Sequence, residues 1–248
     1  MDEIHGVTCR LLEEAIANML PASQSTLYDG WQLRMTPGTS RNPNSVWPLY
    51  SGRASIESKI DFCERQYRDQ GLSCSFRLSE GDDHEAIQDR LTHRGYTVHN
   101  PNRVLVTATF PTDAVDIVDV TLDEWLRTAL ELDSDLNEEA IRLKQGPLAR
   151  ISLPTWYGLI AHDGMPCSYG RAIQQDNLFQ LAELWTSPRV RGKGHGTRLI
   201  QGLMRIGNQA GARTAFLPVS ESNEGAWRLY DRLGFKSVYG YRYLIPPK

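Results

Sequence analysis

The chain has 248 residues, 40% of them apolar, and a net charge of −3. That is enough for one large domain or two ordinary ones with a filled core, and the absence of a basic footprint argues against nucleic-acid binding as the primary role. The acidic start MDEIHGVTCR lacks the apolar run of a signal peptide, no stretch nears the ~20 apolar residues of a membrane span, and Cys9, Cys63, Cys74 and Cys167 show neither CxxC nor Cys/His ligand spacing.

In chain order, Leu11, Leu12, Ala15, Ile16 and Met19 predict a helix that stops at Pro21. Trp31–Met35 alternates as a strand, and a Pro/Asn/Ser-rich turn leads to a short strand over Ser45–Tyr50. Ile56, Ile60, Cys63 and Tyr67 line one face of a helix ending at Gly71. A strand over Leu72–Leu78, a helix over His84–Arg94 and a strand over Val104–Phe110 close the first half. His84, His93 and His99 have no ligand spacing and are read as surface residues.

After Pro111-Thr112-Asp113 comes a strand over Ile117–Val120, then helices over Asp123–Leu132 and Asn137–Lys144. Three strands follow, Trp156–His162, Cys167–Ile173 and Phe179–Thr186, the first pair joined at Asp163-Gly164, a hairpin dipeptide. A glycine turn opens a helix from Gly196, and Thr214–Val219, Glu224–Leu233 and Val238–Ile245 read as strand, helix and strand. The order β-α-α-β-β-β-α-β-α-β implies a mixed sheet, hairpins first and crossovers later. DRLTHRGYTVHNPNRVLVTA (89–108) parallels DRLGFKSVYGYRYLIP (231–246), so the chain reads as two related halves, 1–112 and 113–248. The loop before the first half's helix, Tyr50-SGRAS-Ile56, keeps one glycine where the second half alternates three.

That second loop carries the chemistry. Gly192, Gly194 and Gly196 alternate between a strand and a helix, beside Arg189, Arg191 and Lys193. Strand, glycine turn, helix start is an arrangement in which backbone N–H groups and the helix dipole point at an anion. A solvated surface turn is the competing reading of the same glycines.

Three motifs in order resemble the GNAT acyltransferase superfamily over about 115–248. Arg191-Gly192-Lys193-Gly194-His195-Gly196 fits the family's R/Q-x-x-G-x-G/A loop, Asn223-Glu-Gly-Ala226 lies one strand downstream, and Ala226-Trp-Arg-Leu-Tyr230-Asp-Arg-Leu-Gly234-Phe235 fits A-x-x-L-Y-x-x-x-G-F. The resemblance implies an α/β (α+β) fold of two GNAT-like mixed sheets flanked by helices, the first degenerate and the second holding acetyl-CoA. It implies pyrophosphate on the amides of 191–197, Thr197 included, and the pantetheine arm along Leu184, Trp185 and Thr186. Tyr230 takes the family position that donates a proton to the leaving sulfur; a core tyrosine is the alternative. For Glu183 two readings stand together, a base acting through water or a cross-strand ion pair with an arginine such as Arg171. Asn223 either bonds the pantetheine or caps the next helix, and His195 is expected to face solvent or an adenine phosphate. Trp31, Arg34, Arg41 and Trp47 are candidates for an acceptor wall. The expected activity is acetyl transfer to a primary amine, on a protein or a small molecule, by a cytoplasmic, metal-free monomer. A non-catalytic acyl-CoA-binding regulatory module is the alternative.

Overall fold

A computed structural model describes residues 8–38, 41–80, 84–113, 115 and 117–247. Contacts divide the chain into two units, Met1–Val104 with Val219–Asn223 and Ser237–Lys248, and Leu105–Pro218 with Glu224–Lys236. The sequence division at 112/113 therefore falls inside the second unit, and the last strand is grouped with the first.

In the first unit, α1 (Cys9–Met19) is capped by the Thr8 hydroxyl, which accepts from the Leu11 N–H. Strand β1 (Gln24–Tyr28) has no counterpart in the sequence reading. It carries little apolar alternation, and its Leu27 is 73% exposed. What makes it a strand is the turn that follows. Asp29 and Gly30 both adopt positive φ, 45° and 87°, as a two-residue hairpin requires, and pair Tyr28 with Trp31 at the start of β2 (Trp31–Met35). Then come β3 (Ser45–Pro48), α2 (Ile56–Asp69), β4 (Phe76–Ser79), α3 (His84–His93) and β5 (Thr97–Thr107). The unit's strands run β1-β2-β3-β4-β11-β5, where β11 (Lys236–Ile245) pairs antiparallel with β4. Trp31, Leu33, Val46, Ile60, Tyr67, Phe76 and Leu244 fill the core between sheet and helices.

His84, expected at the surface, is buried. Its Nδ1 accepts from the Ser79 N–H at 3.1 Å and its Nε2 lies 2.9 Å from the Pro48 carbonyl, so both ring nitrogens serve the backbone. Arg34 and Trp47 are also sealed inside, each 1% exposed, and build no acceptor wall. Arg34 donates to the carbonyls of Ala17, Leu20 and Asn42, satisfying the end of α1 that Pro21 prevents from continuing.

A buried ion pair anchors α1 to this sheet. Arg77 on β4 donates through Nε and Nη2 to both carboxylate oxygens of Glu13 at 2.7 Å. Tyr239 on β11 adds a third bond to Glu13 at 2.6 Å. The Arg77 guanidinium lies 3.3 Å from the Tyr241 ring centre and 4.3 Å from that of Trp47. Burial alone would pull Arg77 down, but Glu13 and the neighbouring tyrosines hold it above the ordinary guanidinium range.

The second unit comprises β6 (Val118–Val120), α4 (Leu122–Leu132), α5 (Glu138–Ala149), β7 (Thr155–His162), β8 (Met165–Gln175), β9 (Leu178–Thr186), α6 (His195–Gln209), β10 (Thr214–Ser220) and α7 (Glu224–Arg232), with the last residues of β10 grouped with the first unit. Its strand order is β10-β9-β8-β7-β6, with the end of β5 beside β10. Thr121 and Glu124 close a capping box on α4. All four cysteines are free and buried, and no helix among the described residues is long and apolar enough to cross a membrane.

The Glu13–Arg77 pair gives a stability prediction. Arg77→Met strands a buried carboxylate and is expected to cost about 3–5 kcal/mol, whereas Glu13→Leu with Arg77→Met recovers most of that loss. Urea unfolding of the double variant and of Arg77→Met and Glu13→Leu alone checks this; simple additivity of the two single changes would contradict it.

Candidate functional site

The site grows from an irregularity in β9. Ser168 pairs with Thr186 and Tyr169 with Trp185, but the next pair is Arg171 with Ala182. Gly170 alone thus faces two residues, Glu183 and Leu184, which is a β-bulge. Glu183 adopts φ 51°, unusual for a residue with a side chain. Gly170 makes room for it, since a Cβ there would lie 2.7 Å from Leu184 Cδ2. The Gly170 carbonyl accepts instead from the Trp125 indole N–H at 3.0 Å. On its other edge β9 pairs in parallel with β10 over Leu178–Gln180 and Thr214–Phe216. Past that point Trp185 and Thr186 pair on the β8 side with Tyr169 and Ser168, and Leu184 lies in the bulge.

A 3-10 turn at Pro188–Val190 leads into the glycine loop, and Arg191 Nε donates back to the Thr186 carbonyl at 3.1 Å. Gly192 and Gly194 take φ 81° and 84°, and a Cβ at either would meet nothing within 4 Å. These two are glycine because of backbone conformation, and the space before them is open. Gly196 differs. Its position lies close to Thr186 Oγ1 and Leu229 Cδ2, at 3.3 and 3.7 Å from an added Cβ, where β9, α6 and α7 meet. No side chain caps α6, and the amides of its first turn, His195, Gly196 and Thr197, have no carbonyl within the helix to bond. With the helix dipole and Lys193 beside them they form an anion cradle.

The His195 ring does not face solvent. It is 5% exposed, its centroid 4.9 Å from that of His162, and neither ring nitrogen has a partner among the described residues. Burial, then His162, Arg198 and Lys193, push it below the ordinary imidazole range against the opposing pull of Asp163. Only its backbone N–H belongs to the cradle.

Ala226 and Tyr230 lie one turn apart on α7. Tyr230 is 8% exposed and sits edge-on to Phe235 at 5.8 Å. Burial pushes its phenol up to about 12, so it keeps its proton at neutral pH. Asn223 sits in the turn before α7, its N–H donating to the Ser220 carbonyl at 3.0 Å, and is grouped with the first unit. The Glu183 carboxylate accepts from Lys144 Nζ at 2.6 Å and Arg171 Nε at 3.0 Å. Burial would raise it, but Arg171 and then Lys144 draw it down to about 2. The ion pair with Arg171 weighed from sequence is present; Lys144, from α5, was not foreseen.

In the first unit the same topological position, from β3 through the 49–55 loop to α2, is filled from within. The N–H groups of Arg53 and Ala54 donate to the two oxygens of Asp29, both at 2.9 Å. Those bonds, first Arg53 and then Ala54, hold Asp29 at about 2, and Lys59 Nζ stands 3.1 Å from Oδ2. A Cβ at Gly52 would come 2.1 Å from the same carboxylate. Trp31 lines a cavity of about 210 Å³ beside this loop, with Tyr50, Lys59 and His84. Arg41 is half-buried in the irregular segment before β3.

The profile of the family described as "Probable histone acetyltransferase Rv0428c C-terminal" matches residues 7–244. The relative "Uncharacterized N-acetyltransferase MJ1207" of Methanocaldococcus jannaschii is 33% identical over 79 residues. That stretch is 32% of this chain and spans about a third, 34%, of that protein's length. A solved GCN5-related N-acetyltransferase from Kribbella flavida superposes with a TM-score of 0.72 at 17% identity, over 99% of this chain and 97% of that one. A tandem GNAT protein from the clavulanic acid biosynthesis pathway gives 0.69 at 12% identity, over 99% and 90%. At those identities the two structures speak for the fold alone. The family match spans nearly the whole chain, on a fold that presents the glycine loop at a helix start, and the chain belongs to that family of GNAT acetyltransferases.

Proposed function

We propose that the second unit transfers an acetyl group from acetyl-CoA to a primary amine by direct attack of the amine on the thioester. The observation that carries this reading is the uncapped start of α6 behind two left-handed glycines, an anion cradle with open space before it. A coenzyme pyrophosphate suits the cradle in charge and in its need for several close N–H donors. Leu184–Thr186 lie just upstream on β9 and suit the pantetheine arm, which reads as an extended peptide.

In this mechanism the cosubstrate supplies the activated acyl group, and the chain supplies orientation and protons. The leaving thiolate takes its proton from Tyr230, whose apolar surroundings keep the phenol protonated. The proton that the amine nitrogen loses as the amide forms restores the Tyr230 phenol. Since a primary amine has an ordinary pKa of about 10.4, another must be lost to solvent before it can attack as the neutral base. Glu183 is a poor acceptor for that proton, because two cations already stabilise its ionised form. The acceptor is a small molecule or a protein side chain carrying a primary amine.

Gly194→Asp forces a side chain and a negative charge onto the cradle. Cofactor affinity is expected to fall by about tenfold or more, on the order of 1.4 kcal/mol. Calorimetry with coenzyme A is expected to give one site per chain, since in the first unit Ser55 caps α2 and Asp29 takes the loop amides just before it. Two equivalent sites, or unchanged affinity in the variant, would refute the placement.

Tyr230→Phe keeps the ring and removes the donor. Turnover of acetyl-CoA with an amine panel, followed by thiol release, is expected to drop roughly 10²-fold with cofactor affinity nearly unchanged. An unaltered rate would take the proton donor away from Tyr230. Cofactor binding without turnover on any amine would favour the regulatory module.

A further inference from the structure

We infer that Glu183 is a positioning residue whose two ion pairs hold the β9 bulge and so aim the Leu184–Thr186 backbone; its role as stated rests on the acetyl-CoA reading above. Three elements converge on this one irregularity. From β8, Arg171 donates to Oε1 of Glu183 at 3.0 Å; from α5, Lys144 donates to Oε2 at 2.6 Å. From α4, Trp125 bonds the Gly170 carbonyl, opposite the bulge, at 3.0 Å. Arg171 and Trp125 are buried, with 3% of the Arg171 side chain and 1% of Trp125 exposed, so these contacts are packed into the unit.

The backbone requirement is separable from the charge. Glu183 sits at φ 51°, where a residue with a Cβ is disfavoured and a β-branched one is an outlier. A base needs its carboxylate and is indifferent to how the residue's own φ is maintained. A peg needs the left-handed residue at 183, and the carboxylate matters because its cations restrain it there. Glycine therefore discriminates between the two roles, since it takes this conformation without strain.

The test uses the full chain in three forms. Glu183→Gln removes the charge. Glu183→Gly with Arg171→Met removes the charges of Glu183 and of its buried partner and permits the left-handed residue. Glu183→Val with Arg171→Met removes the same charges and opposes it. KM for acetyl-CoA is expected to rise in both double forms, and by about tenfold or more further in the Val form than in the Gly form, with kcat changing less than KM in each. In Glu183→Gln, which keeps the strained backbone and loses the ion pairs, KM for acetyl-CoA is expected to rise toward the Val form while the limbs of the pH–rate profile stay where they are in the wild type. An unchanged KM overturns the role of the ion pairs. A base role predicts the opposite pattern: kcat falls about 10²-fold or more in all three forms, Gly included, with KM unchanged and one limb lost. That result overturns the inference.

A ligand-free arm separates this inference from the acetyl-CoA reading. Amide hydrogen exchange at Leu184–Thr186 is expected to be about tenfold faster in the Val form than in the Gly form, with helix exchange elsewhere matched. Equal exchange in the two forms overturns the positioning role even if acetyl-CoA proves not to be the donor. Failure of the wild type to bind coenzyme A, with the exchange difference intact, overturns only the donor.

Discussion

A helix cannot satisfy its own first amides, and both units of this chain are arranged around that fact. At the start of α6 the amides of His195, Gly196 and Thr197 have no capping side chain, with Gly192 and Gly194 leaving the approach open. At α2 the Ser55 hydroxyl accepts from the Ser58 N–H, and in the loop just before it the amides of Arg53 and Ala54 hold Asp29, an anion the chain supplies itself, beside Lys59. One topological position thus has two outcomes, open where Gly194 stands at the cap and closed where Ser55 caps the helix and Asp29 fills the loop before it. The Asp29-Gly30 turn creates the β1–β2 hairpin, so hairpin and filled loop are one structural event.

Most helices and strands were legible from an apolar face of the right period and a clear stop, whereas α5, which buries only Pro147 and Leu148, runs on past the expected end at Lys144 to Ala149. Leu199, Ile200, Leu203 and Met204 show the buried stripe of α6 directly, and Asp163-Gly164 marks a real hairpin. What was hidden has a physical reason in each case. Strand β1 exposes its side chains and leaves no alternation to read. The first half of β5 is largely polar and exposed, so only its Val104–Thr107 end announced a strand. The grouping of β11 with the first unit depends on pairing between residues far apart in sequence, Tyr241 with Ser79 among them, which no local pattern encodes.

The candidate site divides along the same line. The loop was legible because glycine spacing beside basic residues is a local signal, and Tyr230 because its motif is local too. His84 and His195 were misplaced because a histidine's burial is set by what packs over it. For His84 the signal is in the backbone it serves, the Ser79 N–H and the Pro48 carbonyl, which are neighbours only in space. Glu183 was singled out correctly as a carboxylate in an apolar strand, but its partners lie 12 and 39 residues away, on β8 and α5. Sequence could raise the question and could not weigh base against ion pair.

Burying charge is expensive, and this chain does it twice for geometry. Glu13 with Arg77 fixes α1 on its sheet through aromatic faces and a bidentate bond, where an apolar pair of equal volume would hold the helix at least as tightly. What the ionic pair adds is direction, since a bidentate fork accepts one orientation and a greasy contact accepts many. Glu183 with Arg171 and Lys144 follows the same logic at a finer scale. There the element oriented is a left-handed residue in a strand, and the strand is the one whose next three residues run toward the cradle. Apolar packing sets how strongly each unit is held together; these carboxylates set which way its irregular parts point.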